Sequence, residues 1–258
     1  MQSAYFCHML DIGLDIYIPD TTSFMMSFEK EAVRVDLDRS YLADPETARE
    51  RAWAIAAERG IEPRFLTPED RTARALPDIP THYTFVCCPR SISDLSSKIG
   101  LGYIGPKVRH IIRAARFPVL MTGPVFKAWK SVAVLFGGSQ SACNALDSGL
   151  RIAPRAGVPL DVFVQKEHDA AYYEKRLQEA NLEAALNGRV RRWQWFEEGA
   201  FAVNLYKVPH DALVLSGAYG HSLIKHVLFG GKLETAQSTL TNNLLLNGPH
   251  AVAGLDPV

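Results

Sequence analysis

Gly230-Gly231-Lys232-Leu233, running on to Asn242-Asn243-Leu244-Leu245-Leu246-Asn247-Gly248-Pro249, is the second of a pair. The first runs from Gly105-Pro106-Lys107-Val108 to Phe117-Pro118-Val119-Leu120-Met121-Thr122-Gly123-Pro124, and the two align without a gap. Each reads as glycine, helical segment, short apolar strand and Gly-Pro. Upstream, His82-Tyr83-Thr84-Phe85-Val86-Cys87 matches His210-Asp211-Ala212-Leu213-Val214-Leu215, and both have the pattern of a buried strand. Self-similarity of this kind decides the architecture: the chain is a tandem of two α/β units.

The second copy reads as alternating strands and helices. Ser131 to Phe136 is an apolar strand, and Ser139 to Ala153 a helix with Ser139 as N-cap. Leu160 to Val164 is β-branched and aromatic, hence a strand. From His168 to Leu186, Ala170, Tyr173, Leu177, Ala180 and Ala184 share one helical face. Val190 to Phe196 is a third strand, Glu197 to Lys207 a short helix, Ala212 to Leu215 a fourth strand. Lys232 to Leu240 is a helix and Leu244 to Leu246 the last strand. Such alternation implies a parallel sheet covered on both faces by right-handed crossovers.

The first copy opens in one of two registers. In one, Gln2-Ser3-Ala4 and Leu14-Asp15-Ile16-Tyr17-Ile18 match Gln140-Ser141-Ala142 and Leu160-Asp161-Val162-Phe163-Val164, which leaves a gap where the first strand belongs. In the other, Leu14 to Ile18 is that first strand. Asp20 then caps a short helix containing Phe24, Met25 and Phe28, and Ala32 to Leu37 is the second strand. The second register completes a sheet and is slightly preferred, although the literal matches favour the first. Both continue with a helix from Pro45 to Arg59, proline in its first turn, and a strand from Ile61 to Leu66. The join falls near Phe126 to Lys130, giving units of residues 1–128 and 129–258 that pack against each other.

The densest chemistry lies in Leu213-Val214-Leu215-Ser216-Gly217-Ala218-Tyr219-Gly220-His221, continuing to Leu228-Phe229-Gly230-Gly231. Glycines after a strand and before a helix let backbone amides approach phosphate oxygens that a Cβ would keep away. The start of the following helix adds a positive dipole end. Here the chain resembles the universal stress protein family, whose nucleotide-binding members carry G-x-x-G, nine residues, then G with Ser or Thr. Gly217, Gly220 and Gly230 fit that spacing, and Gly231 stands in the place of the hydroxyl residue. Val132 to Leu146 is similar to the family's opening strand and helix. The resemblance covers residues 129–250 and, more weakly, about residues 14–124.

The resemblance implies two Rossmann-like domains of the adenine nucleotide alpha hydrolase type, each with strand order 3-2-1-4-5. It also implies a regulatory or protective role with an adenine nucleotide, ATP or AMP with or without Mg, held by the second domain. Gly217, Gly220, His221, Gly230 and Gly231 would meet the phosphates. Gly137, Ser139 and Val164 would line the adenosine side, at the switch point where open α/β sheets bind ligands. Gly137 replaces an Asp that holds adenosine in nucleotide-binding relatives. In the first copy Pro89 falls where Gly217 lies and offers no amide, so that unit reads as a partner domain without the pocket. Two like domains in one chain form an internal pseudo-dimer; whether two chains then pair is open.

Other readings stand beside this one. A nucleotide-free scaffold working through a protein partner is the non-enzymatic alternative. Phe136-Gly137-Gly138-Ser139-Gln140-Ser141 is similar to the S-G-G-x-D-S loop of ATP pyrophosphatases, but Gln140 replaces its Asp. No nucleophile-base set stands out, so no catalytic residue is assigned. Gly100-Leu101-Gly102-Tyr103-Ile104-Gly105 spells G-x-G-x-x-G, but reads as a turn leading into a helix. Strand alternation puts Trp193, Trp195 and Arg191 on one face and Arg192 with Gln194 on the other. Lys plus Arg and Asp plus Glu each total 28, so no basic field points to nucleic acid or an anionic membrane. The four cysteines lack C-x-x-C spacing, the histidines lack metal-ligand spacing, and no apolar run spans a bilayer; a cytoplasmic protein is expected.

Overall fold

Short apolar runs and short helices build the first half. The computed structural model describes residues 1–37, 44–67, 76–89, 104–123, 125–196, 201–218, 241–252 and 254–256. Helix α1 (Gln2–Leu10) buries Ala4, Phe6, Cys7 and Leu10 and ends where Asp11 turns left-handed. There follow β1 (Asp15–Ile16), β2 (Ser23–Ser27) and β3 (Ala32–Asp36). Helix α2 (Pro45–Ala57) is capped by Asp44, which accepts from the Thr47 amide at 3.1 Å, with proline at its first position. Then come β4 (Arg64–Phe65), β5 (Asp78–Ile79), β6 (Val86–Pro89), α3 (Pro106–Ala114) and β7 (Val119–Thr122).

The second half follows the alternation read from its sequence. It contains β8 (Ser131–Leu135), α4 (Gln140–Arg155), β9 (Leu160–Gln165) and α5 (Ala170–Glu179). Next are α6 (Glu183–Leu186), β10 (Val190–Phe196), α7 (Phe201–Asn204), β11 (Ala212–Gly217) and β12 (Leu244–Asn247). The long helix expected over 168–186 is two, broken where Asn181 takes φ +55°. The helix expected over Lys232 to Leu240 lies outside the described residues.

One seven-stranded sheet runs β10-β9-β8-β11-β12-β7-β6 through both halves. Its first five strands are parallel and have the order 3-2-1-4-5. The halves meet edge to edge: β12 pairs antiparallel with β7, Leu244 opposite Met121, Leu245 opposite Leu120 and Leu246 opposite Val119. In the repeat Leu244, Leu245 and Leu246 correspond to Val119, Leu120 and Met121. This register is therefore symmetric about the Leu120–Leu245 pair, and the two halves meet through the same strand of the repeat. Alternation divides the core: Val132, Val134, Leu213 and Leu215 pack under α1 and α4, while Ala133, Leu135 and Val214 pack with α3 and the β2–β3 hairpin.

The first half corrects two expectations. The preferred register, with Leu14 to Ile18 as a first strand and a helix after Asp20, does not hold. Ser23–Ser27 is a strand paired antiparallel with Ala32–Asp36, because Phe24, Met26, Val33 and Val35 turn inward at a period of two. The literal matches are the right ones: α1 corresponds to α4, β1 to β9 and β4 to β10. An ion pair repeats with them. Arg64 on β4 donates to Asp15 on β1, Nε to Oδ1 at 2.9 Å; Arg191 on β10 donates to Asp161 on β9, Nε to Oδ1 at 2.9 Å and Nη2 to Oδ2 at 2.6 Å. The first half therefore does not complete its own 3-2-1-4-5 sheet. The β1–β4 pair stands apart from β7–β6, and among the described residues no strand lies between β1 and β6.

Candidate functional site

At the C-terminal ends of β8, β9 and β11 the second half gathers four of the eight residues singled out from the sequence. Leu135 lies opposite Phe163 on one side and Ser216 on the other, so the loop Gly137-Gly138-Ser139 leaves the sheet between Val164 and Gly217. Gly138 takes φ +74°, which turns the chain into α4. Gly137 has no such demand. The Ser139 hydroxyl caps the helix, accepting from the Ala142 amide at 3.3 Å, and lies 3.2 Å from the Ser141 hydroxyl. The first turn of this 16-residue helix holds no acidic residue, so its positive end is uncompensated from within.

Val164, one residue before the end of β9, has its side chain fully buried in the cluster under α4 and α5. Gly217 ends β11 pressed against the start of α4. A Cβ built there would sit 2.6 Å from the Ala142 amide nitrogen and 2.6 Å from the Ser141 hydroxyl. Its lack of a side chain is thus required by helix-on-strand packing before any ligand is considered. Gly220, His221, Gly230 and Gly231 lie outside the described residues. Gln140, at the place of the pyrophosphatase Asp, donates from Nε2 to the side-chain Oδ1 of Asn144 at 3.1 Å along the helix.

The structure adds groups that the sequence reading missed. The Tyr172 ring lies over Gly138, its Cε1 2.6 Å from where a Cβ would stand, and the His168 ring packs on it at a tilt of 38°, 4.1 Å between centroids. Asp169 caps α5 by accepting from the Tyr172 amide at 2.9 Å, which seats the ring over the loop. Arg176, one turn on, donates from Nε to the Gly138 carbonyl at 2.8 Å and from Nη1 to Glu179 at 2.7 Å. The Glu179 hydrogen bond raises the Arg176 pKa further. Asp169, followed by aromatic Tyr172 and Tyr173, was a legible N-cap signal; nothing in the sequence pairs Arg176 with a loop 38 residues upstream.

On the other face of β9 lies Asp161, fully buried. A bulge between Val190 and Arg192 defeats simple alternation on β10. Trp193 and Trp195 do stack on one side, but Arg191 joins Arg192 at Asp161 rather than joining the tryptophans. Among the described residues no cluster of His, Cys, Asp and Glu could hold a metal, and no helix is long and apolar enough to cross a membrane.

No family model and no curated protein matches the chain in sequence. Solved structures do match in fold. A universal stress protein from Archaeoglobus fulgidus is 14% identical with a TM-score of 0.57, over 96% of this chain and 93% of that one. Two proteins of Pseudomonas aeruginosa are each 14% identical over 96% of this chain. One, of unknown function, has a TM-score of 0.49 over 86% of its own length; the other, named as a universal stress protein, has 0.48 over 87%. The chain has the α/β fold of the universal stress proteins.

Proposed function

We propose that the protein is a regulatory or protective universal stress-type protein that binds an adenine nucleotide, ATP or AMP, in its second half. The adenosine side comprises Gly137, Ser139 and Val164, and the phosphate side Gly217, Gly220, His221, Gly230 and Gly231. The observation that carries the reading is the convergence of the Gly137–Ser139 loop and the end of β11 at the switch point of a 3-2-1-4-5 sheet, beside the positive end of α4. Binding, not turnover, is the proposed activity; Mg accompanies the triphosphate only.

The test is calorimetry with ATP and with AMP on protein freed of carried-over ligand. Gly217 is a poor probe, because a side chain there collides with α4. Gly220→Val and Gly137→Asp are better, the second restoring the acid that nucleotide-binding relatives carry. The parent should bind with a Kd on the order of micromolar, about −8 kcal/mol. Gly220→Val should lose at least tenfold and Gly137→Asp gain about tenfold, about 1.4 kcal/mol each.

The Tyr172 ring seated on Gly138, together with the absence of the acid at Gly137, supports a second reading, a nucleotide-free scaffold acting through a protein partner. No binding by the folded parent at millimolar nucleotide would overturn the first reading in favour of this one.

A further inference from the structure

The two halves differ most where the second has β8 and the first has a cavity. Its volume is about 760 Å³, and it is walled by Ala4 and Cys7 of α1, Ile16 and Tyr17 on the β1 side, and Val86 and Cys87 of β6. These walls correspond, through the repeat, to the three elements that enclose β8: α4, β9 and β11. Two ladders fix the correspondence independently. Val86 pairs with Val119 as Val214 pairs with Leu244, and Asp15 pairs with Arg64 as Asp161 pairs with Arg192.

We propose that this cavity is a strand-acceptor site, taking an extended, uncharged, apolar peptide segment of about five residues in parallel between β1 and β6. The chemistry of the occupant is written in the other half. There Ser131-Val132-Ala133-Val134-Leu135 fills the equivalent place, buried along its whole length, paired parallel with β9 over Val132–Leu135 and with β11 over Ser131–Leu135. Carried through the repeat, that register sets the incoming residues against Leu14–Tyr17 on one side and Thr84–Cys88 on the other.

Both flanking strands have an edge to offer. Among the described residues β1 pairs with β4 alone and β6 with β7 alone. The Leu14 and Ile16 carbonyls accept from the Arg64 and Leu66 amides, so alternation turns the Asp15 and Tyr17 backbone towards the cavity. The side chains between are apolar and half-buried: Ile16, Tyr17, Phe85, Val86 and Cys87. Their equivalents in the second half, Val162, Phe163, Leu213, Val214 and Leu215, are buried. An added strand would bury these walls and extend two hydrogen-bond ladders at once, the combination that peptide addition to a sheet exploits. A compact apolar ligand would supply only the first.

The experiment uses the full chain and a fluorescent peptide bearing the Ser131–Phe136 sequence behind two solubilising lysines, read by polarisation. The expected result is saturable binding that weakens at least tenfold in the peptide with proline in the place of Ala133, because proline removes a ladder donor yet stays apolar. Amide exchange at Tyr17 and Cys87 should slow in the presence of the parent peptide. Four results would overturn the proposal. The first is no saturable binding. The second is equal binding of the proline peptide. The third is displacement of both peptides alike by a long-chain fatty acid, which would mark a compact apolar ligand site. The fourth is slowed exchange without peptide in a concentration-dependent dimer, which would mean that a second copy closes the gap.

Discussion

Val214 and Val86 hold equivalent places in two copies of one α/β unit, yet Val214 is fully buried and Val86 only half so. Val214 belongs to a strand flanked on both sides, by β8 and β12. Val86 belongs to a strand flanked on one side, by β7. The same contrast runs through the neighbouring strands: β9 is buried from Leu160 to Val164, whereas β1 is half-exposed. Among the described residues the first half has no strand in the place of β8, and this changes the surroundings of every element that would have touched one. What the halves still share is informative because it survives that difference. The shared features are the edge-to-edge pairing of the last strands, a helix in the place after the first strand, and an Asp–Arg bridge between the second and third strands. These are the parts of the unit that hold together without a central strand.

The Asp–Arg bridge offers the sharpest way to break the comparison. Asp161 is fully buried and is held by Arg191 and Arg192. Asp161→Ala removes the shared acceptor of two half-exposed guanidinium groups and empties a fully buried place on β9, and should cost about 2 kcal/mol. The matching Asp15→Ala removes a bridge whose arginine is largely exposed, and should cost less than about 1 kcal/mol. Urea denaturation of both variants measures the difference. Equal losses would mean that the first-half bridge is as enclosed in solution as the second-half one, and that the gap between β1 and β6 is closed.

That bridge also shows how far residues can be read without coordinates. The second half was legible because its strands are continuous apolar runs separated by capped helices, so periodicity and caps point the same way. The first half was harder for a physical reason. Phe24, Met25 and Phe28 fit a helical face, but Phe24 and Met26 with Val33 and Val35 fit a hairpin, and only pairing decides between them. The literal match at Gln2-Ser3-Ala4 held the right answer. Asp161 was invisible as a partner of Arg191, because a bulge changes which face a residue takes without any sign in composition. Gly217 could be read as a place of close approach, but its sequence does not say whether a phosphate or a helix approaches. Residues 219–240 lie outside the described residues.

Gly217 and Pro89 sharpen the comparison at the next level of size. In the second half the end of β11 supports α4 directly, and a methyl group at Gly217 must push back the backbone of Ser141 and Ala142. Gly217→Ala should cost about 2 kcal/mol, the usual scale for overpacking a close contact. Pro89 at the equivalent place is exposed, and Pro89→Ala should change stability by no more than about 0.5 kcal/mol. Thermal unfolding followed by circular dichroism checks both. A large loss in the second variant would show that β6 and α1 make the same contact as β11 and α4.

The smallest effect concerns pH, and it tests whether the first-half bridge acts through its charge. Hydrogen bonding from Arg64 holds the Asp15 carboxyl below its ordinary range, with the Arg64 charge and the Tyr83 hydroxyl adding to it and burial opposing. A carboxyl depressed in the folded state stabilises that state above its unfolded value, about 3.9. The contribution is lost as pH falls through the lower folded value, because both states then bind the proton. Screening at this exposed pair keeps the gain to a few tenths of a kcal/mol at most. The stability difference between the parent and Asp15→Asn should therefore be present in urea titrations at pH 7 and vanish near pH 2. A difference that persists unchanged in acid would show that Asp15 holds β1 to β4 by shape and hydrogen bonding alone. The repeat of the bridge in the two halves would then be a packing motif rather than an electrostatic one.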